Sequence, residues 1–331
     1  MTATNFDVLA IGNAIVDVIA DADDGFIEAQ ALTKGGMTLI DAERAQSLYD
    51  AMGPGREISG GSAANTLAGL ARLGHRTAFI GQVAKDQLGD VFAHDVRAGG
   101  IDFAVTPRDG EPPTGRCLIL VTPDGQRTMN TFLGAAQYLP ESAIDKAKIE
   151  TAAWLYLEGY LWNAPESRAA MTGAIKVAKA AGRKVALTLS DAFVVHGHRE
   201  EFMQLFDNGE IDLLFANDTE VRAMMQNENI EQAVSTLSAR IPMLVCTHGA
   251  AGAEAYHGGE HARVPAEQVD AVIDTTGAGD LFAAGVFAGL AEGRSLADCL
   301  TMGAVCAAEV ISHYGARPEK DLAELVKARL G

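Results

Sequence analysis

Several things are scarce or absent in this chain, and each absence excludes a class of protein. Among 331 residues there are four cysteines, Cys117, Cys246, Cys299 and Cys306, and no two of them form a C-x-x-C pair. That gives neither a disulfide framework nor a zinc spacing, so a reducing cytoplasm is the expected compartment. Cys299 and Cys306, seven apart in a predicted helix, read as core. Basic residues are outnumbered, 26 Lys and Arg against 44 Asp and Glu, for a formal charge of −18. Nucleic acid and anionic membrane surfaces are therefore excluded as partners. No apolar run approaches about 18 residues. The first seven residues, Met1 to Asp7, have no basic n-region, so neither a membrane span nor a leader is expected. Gly12 stands alone after the first apolar run. The G-x-G-x-x-G fingerprint is thus missing, which argues against a dinucleotide oxidoreductase, and no G-x-x-x-x-G-K-[ST] loop occurs. The sequon Asn217-Asp218-Thr219 reads as chance. With no internal repeat, low-complexity segment or linker, residues 1–331 are expected to form a single domain.

What is present is a core with a regular rhythm. The chain is 48% hydrophobic and 21% charged, the balance of a globular protein with ample interior. Short apolar runs predict buried strands at 8–12, 77–81, 154–157, 185–189, 213–216 and 243–247. Helical patterns follow at 66–73, 90–98, 165–181 and 199–207. Repeated strand–loop–helix units imply a parallel sheet with helices on both faces. The texture changes between 105 and 138. Pro107, Pro112 and Pro113 interrupt the chain, and runs 116–121 and 127–132 flank the turn Thr122-Pro123-Asp124-Gly125-Gln126. That is a hairpin signature, expected as a small antiparallel flap over the sheet's C-terminal edge, a lid.

Polar clusters fall just after strands, where open α/β sheets place their ligands. The most informative is Asp274-Thr275-Thr276-Gly277-Ala278-Gly279-Asp280, which runs into an apolar, alanine-rich helix. Small residues admit a ligand close to the backbone, and the first helical turn offers unpartnered N–H groups at the positive end of the dipole. This is a backbone anion site, with phosphate the obvious anion. Asp280 either caps that helix electrostatically or accepts the proton of a hydroxyl attacking a phosphoryl group. At such a helix end it is expected to have a low pKa. A second glycine turn, Gly60-Gly61-Ser62-Ala63-Ala64-Asn65, also opens a small-residue helix. Asn65 there is either a cap or a ligand contact. Asp17, between Val16 and Val18, is either a surface aspartate on a continuing strand or a half-buried carboxylate awaiting hydroxyl donors. Asn217 and Glu220, three apart in a helical first turn, share a face. They form a capping box or hold the water shell of Mg²⁺. Arg127 reads as an exposed turn residue or a phosphate contact.

Together these residues resemble the ribokinase-like (PfkB) carbohydrate kinase family over nearly the whole chain. Asp274–Phe282 is similar to that family's second signature, in which the Gly277-Ala278-Gly279 segment would form the anion hole and Asp280 would be the catalytic base. Gly60 to Gly74, and on to Gly81, looks like the first signature, which binds the phosphate acceptor. By the same resemblance Asp17 holds acceptor hydroxyls, Asn217 and Glu220 form the N-x-x-E element implicated in Mg²⁺ and phosphate binding, and Thr247 and Gly249 contact the nucleotide. Val83-Ala84-Lys85-Asp86 departs from the V-G-x-D found in many members, keeping the aspartate but not the glycine. Gly12–Asp17, Gly60-Gly61-Ser62 and the Tyr160/Pro165-Glu166-Ser167 region look like the adenosine kinase branch. There a basic position like Arg127 reaches the phosphates from the lid.

The resemblance implies a three-layer α/β fold, a mainly parallel sheet flanked by helices, with a β lid contributed by roughly 13–45 and 104–135. It implies ATP and Mg²⁺ and is compatible with K⁺ bound by loops near Asp274 and residues 312–315. The expected reaction is transfer of the γ-phosphoryl group of ATP to the 5′-hydroxyl of a purine nucleoside, most simply adenosine. Tyr160, Trp162, Phe132 and Phe103 are the candidates for stacking on the base, Tyr160 in the acceptor site. A kinase of a free sugar and a non-catalytic nucleoside- or nucleotide-binding sensor are the alternatives. A small-molecule acceptor and ATP are the expected partners of a monomer or homodimer.

Overall fold

Apolar runs without polar alternation bury both faces of a strand, and they form the centre of this fold. The computed structural model describes residues 4–331. In chain order the strands are β1 (Phe6–Ile11), β2 (Ile15–Asp21), β3 (Met37–Leu39), β4 (Arg56–Gly60), β5 (Thr77–Ile80), β6 (Ile101–Phe103), β7 (Gly115–Val121), β8 (Arg127–Phe132), β9 (Ala152–Glu158), β10 (Lys184–Thr188), β11 (Leu213–Asn217), β12 (Met243–Thr247), β13 (Ala253–His257) and β14 (Glu260–Val264). Nine form one sheet in the order β14-β13-β12-β11-β10-β9-β1-β5-β6. It is parallel from β12 to β6, and antiparallel only where β13 and β14 extend its edge.

The period of two along a strand divides the core. Val8 and Ala10 of β1 pack on one face of the sheet, Leu9 and Ile11 on the other. Helices Ser62–Arg72, Ala278–Ala291 and Leu296–Val310 cover the first face. Helices Pro165–Ala180, Ala192–Asp207, Asp218–Met225 and Ile230–Ser238 cover the second. The result is the expected three-layer, ribokinase-like α/β fold. No helix among the described residues is long and apolar enough to cross a membrane. The helix expected at 199–207 is present and is preceded by a further helical segment from Ala192, capped by Asp191 accepting from the Phe193 N–H at 2.9 Å; a kink at His198, with φ −135° and ψ 18°, separates the two.

The smaller sheet departs further from expectation. Its order is β3-β8-β7-β2-β4. The β7–β8 hairpin is antiparallel as its turn residues require, but β2 pairs with β7 and β3 with β8 in parallel. The sheet is therefore mixed rather than an antiparallel flap. It also includes β4, outside the boundaries drawn from the sequence. Arg56-Glu57-Ile58-Ser59-Gly60 holds a single large apolar residue, so no periodicity announced it. Asp17 lies in the lid segment expected to begin near residue 13. The chain breaks at Asn13-Ala14 and crosses to the smaller sheet, placing Asp17 within β2. Val16, Val18 and Ala20 are buried, while Ile15 and Ile19 pack on Cys117, Ile119 and Met129 on the opposite face. Asp17 shares that second face and looks across at the large sheet.

Candidate active site

Between the C-terminal edge of the large sheet and the facing side of the smaller one lies a cavity of about 660 Å³. Five carboxylates line it: Asp17, Glu158, Asp191, Glu220 and Asp280. No lysine, arginine or histidine is among its described lining residues. To an anion this described lining offers backbone dipoles and no basic side chain.

Asp280 stands in the first turn of helix Ala278–Ala291, partly open to the cavity. One oxygen accepts from Ser62 Oγ at 2.6 Å and the other from Asn65 Nδ2 at 3.0 Å. The two glycine turns are thus a single device: residues of the first aim the carboxylate of the second. The helix N-cap is Gly277, at φ 80°, and no side chain caps it. Of the expected anion-hole amides, that of Ala278 donates to the Thr275 carbonyl at 3.2 Å. Burial pushes the Asp280 carboxyl above its usual range, against the hydrogen bonds from Ser62 and Asn65. This corrects the expected low pKa: the enclosed setting outweighs the helix end.

The acceptor-side residues gather around it. Gly61 lines the cavity, whereas Gly60 lies under Asp17, where a Cβ would sit 2.5 Å from the carboxylate. Gly61 has φ 96°, and a Cβ there would strike the Asn13 carbonyl. Asp17 makes no side-chain hydrogen bond among the described residues. Burial raises its carboxyl to about 6, opposed by the nearby charges of Arg317 and Arg127. Sequence reasoning assigned no role to Glu158. It accepts from Asn13 Nδ2 at 2.6 Å and from the Ala63 N–H at 2.9 Å, and burial raises it to about 7. Asn13 Oδ1, Asn65 Oδ1 and Ser190 Oγ are buried with no partner. All three residues line the cavity, and Ser190 holds φ 68°, a strained backbone of the kind found at ligand sites.

At the other end, Asn217 and Glu220 both line the cavity and form a full capping box. Glu220 N–H donates to Asn217 Oδ1 at 3.0 Å, and Asn217 N–H donates to Glu220 Oε2 at 3.1 Å. Thr247 lines the cavity too, but Gly249 is exposed and does not. Arg127 is not the exposed turn residue its position suggested. It is 7% exposed, pairs with Asp274 Oδ2 at 2.9 Å and lies 5.3 Å from the Tyr314 ring. Nor does it line the cavity. The contact with Arg127 is an ion pair without a hydrogen bond, whereas Asp274 accepts hydrogen bonds from Thr276 and from the Gly315 N–H. Asp86 caps helix Gln87–Ala98 and binds Thr114 N–H and Oγ1, each at 2.7 Å, so it anchors the approach to β7.

Of the aromatic candidates only Tyr160 reaches the cavity. Phe103 packs on Phe79 and Phe92, Trp162 donates to Glu201, and Phe132 is buried in β8. Phe193, 39% exposed, lines the mouth beside Tyr160 with ring centroids 6.0 Å apart. It was overlooked because the sequence shows it only as part of an apolar run, Phe193-Val194-Val195.

The profile described as pfkB family carbohydrate kinase matches residues 32–322. The structure of adenosine kinase from Sinorhizobium meliloti superposes with a TM-score of 0.91 at 45% identity, covering 98% of this chain and 99% of that one. A probable sugar kinase protein from Rhizobium etli CFN 42 gives 0.92 at 44%, with the same coverage. Adenosine kinase 2 from Arabidopsis thaliana is 27% identical over 96% of this chain and 98% of its own.

Proposed function

The chain belongs to the pfkB family of carbohydrate kinases, a phosphotransferase acting on an alcohol group, and we propose that it phosphorylates the 5′-hydroxyl of adenosine with ATP and Mg²⁺. One observation carries the reading: Asp280 is held by Ser62 and Asn65 at an uncapped helix N-terminus, across a cavity from an unpartnered Asp17.

The chemistry follows from those positions. Asp17, Asn13 and Asn65 offer acceptor oxygens without protein donors, a set suited to vicinal hydroxyls. Asp280 aligns the attacking hydroxyl. As its oxygen bonds to the γ-phosphorus, the bond to the β-phosphate oxygen breaks, ADP departs and the proton passes to Asp280. Its raised pKa makes it a better base than a helix-end carboxylate ordinarily is. Backbone groups of Gly277, Ala278 and Gly279 face the charge on the moving phosphoryl group. The smaller sheet serves as the lid that keeps water out.

The donor set fits a divalent cation. Burial raises Glu220 to about 7, with Asp191 adding to the rise, and no basic side chain lines the cavity to offset either. Asn217 and Glu220 would hold Mg²⁺ through its waters, and the bound ion would supply the positive charge that phosphoryl transfer needs.

A nucleoside is favoured over a free sugar by the mouth of the cavity. Tyr160 and Phe193, together with the lining residues Ile15, Ile119, Met129 and Leu133, give the cavity apolar and aromatic surface suited to a purine base. The Sinorhizobium meliloti relative, an adenosine kinase, supports the same choice. A panel of adenosine, other nucleosides, ribose and fructose, with ADP release as readout, tests it. Adenosine should be turned over fastest. A free sugar consumed faster than any nucleoside would reject the assignment, and ligand-induced melting shifts without ADP would indicate a sensor.

A further inference from the structure

Arg317, in the loop after helix Leu296–Val310, has an enclosed guanidinium. Nε and Nη2 donate to the Ser59 carbonyl at 3.2 and 2.8 Å, Nη2 also reaches Ser59 Oγ at 3.0 Å, and Nη1 donates to the Ala64 carbonyl at 2.9 Å. Ser59 belongs to β4, where it pairs with Val16, the neighbour of Asp17 on β2. Ala64 lies in the first turn of the helix that carries Ser62 and Asn65, the two residues that hold Asp280. One cation therefore ties the mounting of Asp17 to the mounting of Asp280.

We propose that Arg317 is a positioning residue for phosphoryl transfer, clamping the smaller sheet to the glycine turn so that Asp17 and Asp280 face the same acceptor and both stay ionised. The inference rests on the reading of Asp280 as base. It is not needed to explain the fold: β4 is already bonded to β2 along its length, and the Ser59 N–H is taken by Asp95 Oδ2 at 3.1 Å.

The electrostatic part has a definite sign. Burial lowers the Arg317 pKa to about 10, still well above neutrality, so it is charged at working pH. Its charge lowers the pKa of both carboxylates. Other groups act on the same pair. Arg127 lowers Asp17, Asp274 raises it, and the Asp280 charge raises it further. Asp280 faces Ser62 and Asn65, and its field is felt by Glu158, Tyr156 and Tyr160. Asp95 completes the charges around Arg317. Removing Arg317 leaves these in place and raises both carboxylates, so activity that needs them ionised begins at higher pH.

The test compares wild type, Arg317→Lys and Arg317→Met by kcat and KM across pH, using whichever alcohol the acceptor panel selects. In Arg317→Met the acidic limb of kcat should move up by about one pH unit, the lower end for loss of an opposite charge nearby. Arg317→Lys should keep the limb in place. Its ammonium cannot bridge both carbonyls, however, so kcat should fall about tenfold from misalignment. A folded Arg317→Met whose profile superposes on wild type after scaling overturns the proposal, leaving Arg317 a structural clamp. If Arg317→Met does not fold, Arg317→Lys decides: undiminished kcat overturns the proposal, and the tenfold loss with an unmoved limb supports it. Failure of the base assignment would show separately, as an active Asp280→Asn enzyme.

Discussion

Two helices begin at the cavity, and they begin in opposite ways. Helix Asp218–Met225 satisfies its own first turn: Asn217 and Glu220 exchange hydrogen bonds in a capping box. Helix Ala278–Ala291 opens on Gly277 with no side chain capping it. A capping box is worth about 1 kcal/mol to a helix, so leaving it out is a loss unless a ligand takes its place. The Ala278 terminus carries the one carboxylate in the cavity that is held by two side chains from another element. The Asp218 terminus instead keeps its carboxylate for itself. The contrast suggests a division of labour, with the uncapped end meeting the moving phosphoryl group and the self-capped end meeting a cation through water.

The sharpest break of this contrast is Asp280→Asn. It keeps the shape and its place beside Ser62 and Asn65 but cannot take a proton. We expect kcat to fall by about 10²-fold or more, with melting temperature little changed. Near-normal turnover would mean that the uncapped terminus needs no base. Next comes Gly277→Ala. At φ 80° an alanine is strained by about 1–2 kcal/mol. Its Cβ would also lie 2.7 Å from the Ala316 Cβ and 2.9 Å from its Cα. Either the turn or the Ala316 loop must move, so we expect kcat to drop about tenfold or more, by displacement of the anion site, along with a lower melting temperature. A variant with wild-type kinetics would show that the geometry of this N-terminus is not used.

The same contrast explains what was legible in the sequence. The uncapped terminus could be read directly, because glycines ahead of an apolar helix have few uses and all bring the backbone close to something. Asn217 and Glu220 were ambiguous, since cap and cation site call for the same residues at the same spacing. The central strands of the large sheet, from β12 to β5, were legible from their unbroken apolar runs, whereas its edge strands β6, β13 and β14 were not. β4 was not, since five residues with one large apolar side chain carry no period. Asp17 was identified by residue type and falls in the lid segment expected from residue 13, but which strand carries it and which face it takes show only in the tertiary path. Arg127, Arg317 and Glu158 illustrate the same limit. Charged residues are rarely buried, so sequence favours the surface for each, and only the partners brought from elsewhere reverse it. Arg127 looked like part of a hairpin turn, yet Asp274 and Tyr314, both far along the chain, enclose it. Phe193 shows the reverse: an aromatic in an apolar run reads as core, yet here it is partly exposed at the mouth.

The smallest expected effect lies at the capped end, and its sign separates the two roles assigned to Glu220. Burial raises its carboxyl from the usual 4.5 to about 7. Between those values the folded chain binds a proton that the unfolded chain does not. The resulting stability is fully present below about pH 4.5 and is lost as pH rises through 7. Glu220→Gln keeps a side chain that serves in a capping box but cannot titrate. Ligand-free wild type should therefore lose stability relative to Glu220→Gln as pH rises from 5 to 8, on the order of 1 kcal/mol, read by denaturant or thermal melts. If Glu220 were only a cap, Mg²⁺ with a non-hydrolysable ATP analogue would leave that difference unchanged. If it faces the cation, the bound charge lowers its pKa, so the same addition should stabilise wild type more than Glu220→Gln at pH 8, and the variant should need severalfold more Mg²⁺ for half-maximal turnover. Equal stabilisation of both proteins, with equal Mg²⁺ requirement, would reduce this terminus to a helix cap and leave the cation to other groups of the cavity.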